Sequence, residues 1–129
     1  MDFGEIDIDD IKTYKADNTK FQLYVYKFEI LTEKERAIFI GKARCTSSAF
    51  GQHVRLLKKN KHYNEELLDF YNKNKNADIE FNFSLIARIE CLETEAREKA
   101  KRLYNFYMSK FNGGLDNNNR EILVMARKW

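Results

Sequence analysis

The sequence contains no proline and only two cysteines, Cys45 and Cys91, and it shows neither an internal repeat nor a domain linker. The cysteines lack CxxC spacing and convincing histidine partners, which argues against a zinc site, and we expect both as reduced thiols. No apolar run approaches the roughly 20 residues that cross a bilayer, and the N-terminus is acidic where a targeting sequence would be basic. These absences predict a cytoplasmic protein without a membrane segment.

The length and composition fit one globular domain. The chain has 129 residues, and its 43% hydrophobic content is enough to form a single core without disulfides or metal. Residues 1–20 are charged and show little apolar periodicity, so we interpret them as an acidic N-terminal arm preceding a domain at 21–129. The net charge of +3 permits a nucleic-acid partner but does not require one.

The positive charge is unevenly distributed along the chain. A basic run surrounds the predicted first helix, and a locally basic face can attract phosphate even when the whole molecule is almost neutral. The alternative interpretation is a solvated helix face that balances the acidic arm. The candidate nucleic-acid-binding residues are Lys42, Arg44, Arg55, Lys58, Lys59 and Lys61.

Four apolar runs predict strands. The run from Phe21 to Ile30 is apolar on both faces, which is typical of a central strand covered by helices. The run at 37–40 follows a short polar turn and predicts an antiparallel hairpin. Apolar and polar residues alternate over 78–85, which predicts a third strand. The last run, 122–125, is either a short strand or a segment that covers the core.

Three helices are predicted around these strands. Ser47 or Ser48 would cap the first helix, Asn64 the second and Thr94 the third. This order, β-β-α-α-β-α, predicts an α/β (α+β) sandwich with a small, mainly antiparallel sheet. The buried stripe expected for the third helix is Ala96, Ala100, Leu103, Tyr107 and Phe111.

Several short motifs resemble those of the GIY-YIG nuclease family. Tyr24-Val25-Tyr26 and Phe39-Ile40-Gly41 resemble its two-strand signature, and Phe50 and His53 have the spacing of its first helix. The stretch 107–112 resembles the end of its last helix. Together with the order of the predicted elements, the resemblance spans about residues 21 to 119. It implies a GIY-YIG-like fold and metal-assisted hydrolysis of a phosphodiester.

The resemblance also implies which catalytic positions have changed. In that family a strand tyrosine helps to deprotonate the attacking water, a helix arginine neutralises phosphate and a glutamate holds a divalent ion. Tyr26 matches the strand tyrosine, whereas Phe39 stands where the second tyrosine would be. Counting from Gly41 places Ala49 at the arginine position, and counting back from position 112 places Tyr104 at the glutamate position. We therefore expect a degenerate catalytic site without a bound metal.

Three functions remain open from the sequence. The first is a pseudoenzyme that binds nucleic acid, DNA in the first instance, without efficient cleavage. The second is an active, Mg²⁺-dependent endonuclease with a relocated site of Tyr26, Arg44 and His53, although Tyr26 and His53 are equally interpreted as packing side chains. The third is a phage-type accessory protein that binds a host protein, motivated by the lost catalytic groups, the acidic arm and the apolar tail ending in Trp129.

Overall fold

A computed structural model of the protein describes residues 12–15, 21–111 and 114–125. Five strands and three helices follow one another along these segments. In chain order they are β1 (Lys12–Lys15), β2 (Gln22–Leu31), β3 (Glu35–Ala43), α1 (Ala49–Lys58), α2 (Glu65–Asn74), β4 (Glu80–Glu90), α3 (Glu93–Phe111) and β5 (Glu121–Val124).

The strands form one mixed sheet in the order β1-β4-β2-β3-β5. The central strand β2 pairs antiparallel with both β3 and β4, and the two outer strands pair parallel with their neighbours. The predicted hairpin of β2 and β3 is confirmed. The predicted order β-β-α-α-β-α is confirmed from β2 to α3, with one further strand on each side of it.

The sheet differs from the sequence prediction at two of its ends. Residues 12–15 fall inside the predicted N-terminal arm, yet they form β1 and pair with Ala87 to Glu90 of β4. Strand β4 continues to Glu90, five residues past its predicted end. Ile86, Ala87 and Ile89 are buried there, so neighbouring residues no longer alternate between core and solvent and the period-two signal disappears.

Helices cover the sheet on both faces and divide the core into two layers. Helix α3 covers one face, and α1 and α2 cover the other. The α3 layer is built from Leu23, Val25, Ile38, Ile40, Ile86, Ala96, Ala100, Tyr104, Phe111 and Ile122. The α1/α2 layer is built from Tyr26, Phe28, Ile30, Ala37, Phe39, Ala49, Leu57, Leu67, Phe70 and Met125.

The helix starts follow the predicted caps in part. The Asn64 side chain accepts a hydrogen bond from the Leu67 amide at 2.9 Å, which confirms the cap of α2. Ser48 precedes α1, but its hydroxyl makes no capping hydrogen bond. Helix α3 begins at Glu93, one residue before its predicted cap Thr94.

Four buried charged side chains and the partly exposed Arg120 lie together at the α3 side of the sheet, and we call this group the buried ion cluster: Lys27, Glu29, Arg36, Asp116 and Arg120. The side chains of Lys27 and Glu29 have no exposed surface, and their charged atoms lie 3.4 Å apart. Arg36 pairs with Glu29 and, at 3.4 Å, with Asp116. Buried charges are costly unless they are paired, so this cluster ties the loop before β5 to the central strands.

Asp116 is the acid that joins this loop to β3. Burial acts to raise the pKa of its carboxyl group, but amide donors from Arg120 and Asn118 and the Arg120 guanidinium outweigh that effect and lower the pKa below its ordinary value. Because the pKa is lower in the folded protein, the ionised carboxylate stabilises the fold above pH 3.8, and this contribution is lost as the pH falls.

We predict that Asp116→Asn lowers the free energy of unfolding by about 3 kcal/mol at neutral pH, because it removes one partner from a buried ion pair. Urea unfolding measures this change. The exposed control Asp78→Asn is expected to stay within about 0.5 kcal/mol of the parent protein. The deficit of Asp116→Asn should shrink when the pH is lowered to about 3. A deficit that is independent of pH would contradict this assignment.

Candidate functional site

Tyr26 occupies the middle of the sheet, where β2 is irregular. It pairs with Gly41 on β3 and with Leu85 on β4, and the register to β4 shifts between Val25 and Tyr26. Its side chain is almost fully buried and stacks on Phe83, with the ring centroids 4.9 Å apart. The sheet therefore holds the Tyr26 ring in one orientation on the α1/α2 side.

Gly41 provides the space that this ring occupies. A β-carbon built on Gly41 would lie 2.7 Å from Cε2 of Tyr26 and closer still to Cζ and Oη. Carbon atoms cannot approach so closely, so any side chain at position 41 would displace the phenol. Gly41 is therefore required for packing, because its position lies directly against the Tyr26 ring.

Two histidines extend from Tyr26 in a hydrogen-bonded chain. Oη of Tyr26 lies 2.5 Å from Nε2 of His53 on α1. Nδ1 of His53 lies 2.8 Å from Nε2 of His62, in the loop before α2. The backbone amide of Asn64 donates to Nδ1 of His62 at 3.0 Å. Both imidazoles are buried, with 4% of each residue exposed.

The Asn64 amide determines the direction of every hydrogen bond in this chain. A backbone N–H can only donate, so Nδ1 of His62 accepts and Nε2 of His62 carries the proton. His62 then donates to Nδ1 of His53, which leaves the His53 proton on Nε2. His53 donates in turn to Oη of Tyr26. The site therefore holds two neutral Nε2–H histidines and directs a donor at the phenol oxygen.

A cavity of about 160 Å³ opens beside this chain. Ala49 and His53 both line it, because residues four apart on an α-helix are turned by only about 40° and share a face. The cavity is lined by Tyr26, Lys42, Ala43, Cys45, Ser48, Ala49, Gln52, His53, Leu56 and Tyr63. Its walls therefore offer a phenol, an imidazole, an amide, a hydroxyl, a thiol and an ammonium group.

The cavity wall contains no carboxylate. Within residues 12–15, 21–111 and 114–125, no group of three histidine, cysteine, aspartate or glutamate side chains is arranged to hold a metal ion. A hard cation such as Mg²⁺ requires oxygen ligands, usually including at least one carboxylate. The arrangement around Tyr26 can orient a proton and a polar ligand, but it offers no ready-made cation site among these residues.

The structure separates the two positions at which the family residues were expected to be replaced. Ala49 lies in the α1/α2 layer and lines the cavity beside Tyr26. Tyr104 is buried in the α3 layer, on the opposite face of the sheet. The expectation that Tyr104 stands at a ligand position of the Tyr26 site is therefore wrong, because Tyr104 belongs to the core cluster on the α3 side of the sheet and Tyr26 to the cluster on the other side.

Arg44 does not join Tyr26 and His53. Its Nε atom donates to the carbonyl of Gln22 at 2.8 Å, and its guanidinium lies over the Phe21 ring, 4.0 Å from the centroid. The cavity brings together two of the three residues of the relocated site, Tyr26 and His53, and leaves the third at the rim of the sheet.

Only part of the predicted basic run lies near the cavity. Lys42 lines it, and Arg55 lies about 60° around α1 from the cavity residue Gln52. Lys58 is turned by about 120° from Gln52, so it faces further into solvent. Lys59 and Lys61 are exposed in the loop that leads to His62 and Tyr63.

Helix α3 adds cations that the sequence pattern did not reveal. Lys42 also lines a second cavity, of about 390 Å³, together with Thr94, Arg97, Glu98 and Lys101. The Arg97 guanidinium lies 5.4 Å from the centroid of Phe21, the ring that Arg44 also covers. These residues are about fifty positions from Lys42 in the chain, and their own stretch mixes acids and bases, so no charge run marked them.

Cys45 stands exposed at the cavity, and a hydrogen bond with the hydroxyl of Ser47, 3.1 Å away, lowers the pKa of its thiol. Cys91 is buried, and neither cysteine forms a disulfide. The acidic residues of the arm at positions 2–10 and the terminal Trp129, on which the host-protein hypothesis depended, lie outside the described residues.

Comparison with protein-family models, with curated proteins and with solved structures finds no match. Among the described residues, no helix has both the length and the apolar character that a bilayer crossing requires.

We predict that Gly41→Ala lowers the free energy of unfolding by about 1–3 kcal/mol, because the new methyl group overpacks against Tyr26. Thermal or urea unfolding measures this. Gly51→Ala is the matched control: a β-carbon there meets nothing within 4 Å, and alanine in a helix should stabilise by about 0.5–1 kcal/mol. Equal effects of the two substitutions would show that Gly41 does not make room for the ring.

We also predict that His53 and His62 are both neutral Nε2–H tautomers at neutral pH, because the Asn64 amide orients the chain. Two-bond ¹H–¹⁵N correlation spectra of the imidazole rings distinguish the tautomers directly. An Nδ1–H signal from either ring would refute the proposed direction of the chain. His62→Gln should alter the His53 signals, whereas the exposed control Gln52→Ala should leave its tautomer unchanged.

Proposed function

We propose that the protein binds nucleic acid through the surface around the Tyr26 cavity without cleaving it efficiently, and that the GIY-YIG resemblance extends to the β2–β3 hairpin and α1 but not to the glutamate position on α3. DNA is the first ligand to test. The observation that supports this proposal most is that Lys42 borders two neighbouring cavities and connects the Tyr26 site to the α3 cations Arg97 and Lys101.

The position of Lys42 explains this connection. It lies near the end of β3, beyond the four residues of that strand that pair with β5, so the α1 and α3 sides of the sheet meet at this edge. Arg44 follows two residues later, and its guanidinium shares Phe21 with that of Arg97. Glu98 lines the same cavity, and Glu93 pairs with Arg97, with Oε1 and Nη2 3.4 Å apart. The cations Lys42, Arg44, Arg97 and Lys101 outnumber these two acids, and such a surface favours phosphate.

The cavity itself lacks what the related chemistry demands. Ala49 presents a methyl group where the resemblance implies a phosphate-neutralising arginine, and the cavity wall contains no carboxylate to hold a divalent ion. Binding by the basic border therefore accounts for more of this surface than cleavage does.

We predict that Lys42→Gln/Lys101→Gln makes the negative slope of log K against log salt concentration for duplex DNA less steep by about 2, and lowers affinity about tenfold or more, because two phosphate contacts are lost. Fluorescence anisotropy with a labelled duplex, between about 50 and 200 mM salt, measures both quantities.

The matched control for this double variant is Lys73→Gln/Lys75→Gln, which removes the same charge elsewhere. Lys73 lies 3.9 Å from Glu35, at the start of β3 and about 23 Å along the strand from Lys42. Binding that ignores salt, or equal losses in the two double variants, would overturn the proposed surface.

One observation favours the second function, an endonuclease with a relocated site: Oη of Tyr26 lies 2.5 Å from Nε2 of His53, which carries the proton in the tautomer that the Asn64 amide favours. This contact would stabilise a phenolate that takes a proton from water, a role that a tyrosine can perform only with such support. Plasmid or single-stranded DNA incubated with Mg²⁺ or Mn²⁺ tests it against Tyr26→Phe. Cleavage that is lost in Tyr26→Phe would support the endonuclease function, and equal background cleavage by both proteins would rule it out.

A further inference from the structure

Four aromatic rings form a row from the core to the surface beside the Tyr26 cavity. Phe28, His53, His62 and Tyr63 follow one another with centroid separations of 5.0, 5.0 and 4.5 Å and interplanar angles of 27°, 27° and 24°. The first three residues are buried, whereas Tyr63 is 57% exposed and lines the cavity. The row therefore ends in an aromatic ring at the surface.

Tyr63 is held in place by its neighbours. It stacks on His62, whose own position is set by the Asn64 amide and by His53. The edge-to-face contact with Phe39, at 6.0 Å, restrains it from a second direction. A ring fixed in this way loses little conformational entropy when a flat ligand stacks on it.

We propose that Tyr63 is the stacking platform for an unpaired nucleobase, so that the ligand of this surface is single-stranded nucleic acid. This inference rests on the proposed function. A nucleobase would continue the row of rings, and Lys61, two residues away, is exposed for the adjoining phosphate. In a duplex both faces of an internal base are covered by its neighbours, so only an unpaired base or a frayed end can stack here.

The test compares two strands that carry the same phosphates: a labelled dT oligonucleotide of about twelve residues and an abasic strand of equal length. Tyr63→Ala should weaken binding of the dT strand about 5- to 100-fold and leave the abasic strand unchanged, because stacking on an aromatic ring acts through the base alone. Tyr63→Trp should retain the affinity for the dT strand.

Phe106→Ala is the matched control, because Phe106 is also an exposed aromatic residue, 55% exposed, on α3. It should bind both strands as the parent protein does. A Tyr63→Trp protein in a Trp129→Phe background provides a spectroscopic readout, since Trp129 is the single natural tryptophan. Its fluorescence should be quenched by the dT strand and not by the abasic strand.

The outcomes separate this inference from the proposed function. If the parent protein binds with the expected salt dependence but Tyr63→Ala binds the dT strand equally well, the stacking platform is wrong and the proposed function stands. If Tyr63→Ala loses affinity for the dT strand and the abasic strand to the same extent, the residue has a structural role and the inference of a stacking platform is again wrong. If the parent protein binds neither strand nor the duplex, both proposals fail.

Discussion

The hydrogen-bonded chain from the Asn64 amide through His62 and His53 to Tyr26 is the constraint on which the site depends. It connects the start of α2, the buried face of α1 and the central strand β2. Both nitrogens of each buried imidazole form hydrogen bonds, and these bonds offset the free-energy cost of burying two polar rings. The same contacts orient Tyr26 at the cavity and hold His62 under Tyr63.

Strand β2 carries polar side chains on both of its faces, and each set organises one layer. Tyr26 faces α1 and belongs to the histidine chain. Lys27 and Glu29 face α3, where Lys27 lies 5.9 Å from the centroid of Phe111 and Glu29 pairs with Arg36. The buried ion cluster secures the loop before β5, and the opposite face keeps its polar groups beside a cavity. One face thus serves the fold, and the other provides the site.

Much of this architecture could be predicted from the sequence, because hydrophobic periodicity reports directly on which faces are buried. The β2–β3 hairpin and the alternating start of β4 followed from that pattern, and the Asn64 cap followed from the preference for asparagine before a helix. The parallel pairing of β1 with β4 and of β5 with β3 did not follow from it, since pairing between distant segments leaves no local period. Lys27 and Glu29 were missed for a different reason: charged residues are assigned to the surface unless their partners are known, and Glu29 pairs with Arg36 across the hairpin, which in turn pairs with Asp116, eighty residues further along the chain.

The site was predictable for Tyr26 and His53 but not for its extension. His62 lies nine residues after His53, in a loop that showed only a break between helices, and its role depends on a tautomer that the Asn64 amide determines. The available signal was that the chain has only two histidines, the second of them two residues before a helix cap. The place of Arg97 and Lys101 beside the site could be recognised only from the fold, because only packing brings α3 beside Lys42.

The central claim is that this scaffold receives a nucleic-acid strand at the border of the Tyr26 cavity. Backbone amide shifts in an NMR titration of the ¹⁵N-labelled protein with an unlabelled single-stranded oligonucleotide test it most directly. The account predicts that the largest shift changes cluster at Lys42, Gln52, Tyr63 and Arg97. Changes confined to the opposite end of the sheet, around Lys73 and Glu121, or no changes at all, would contradict it.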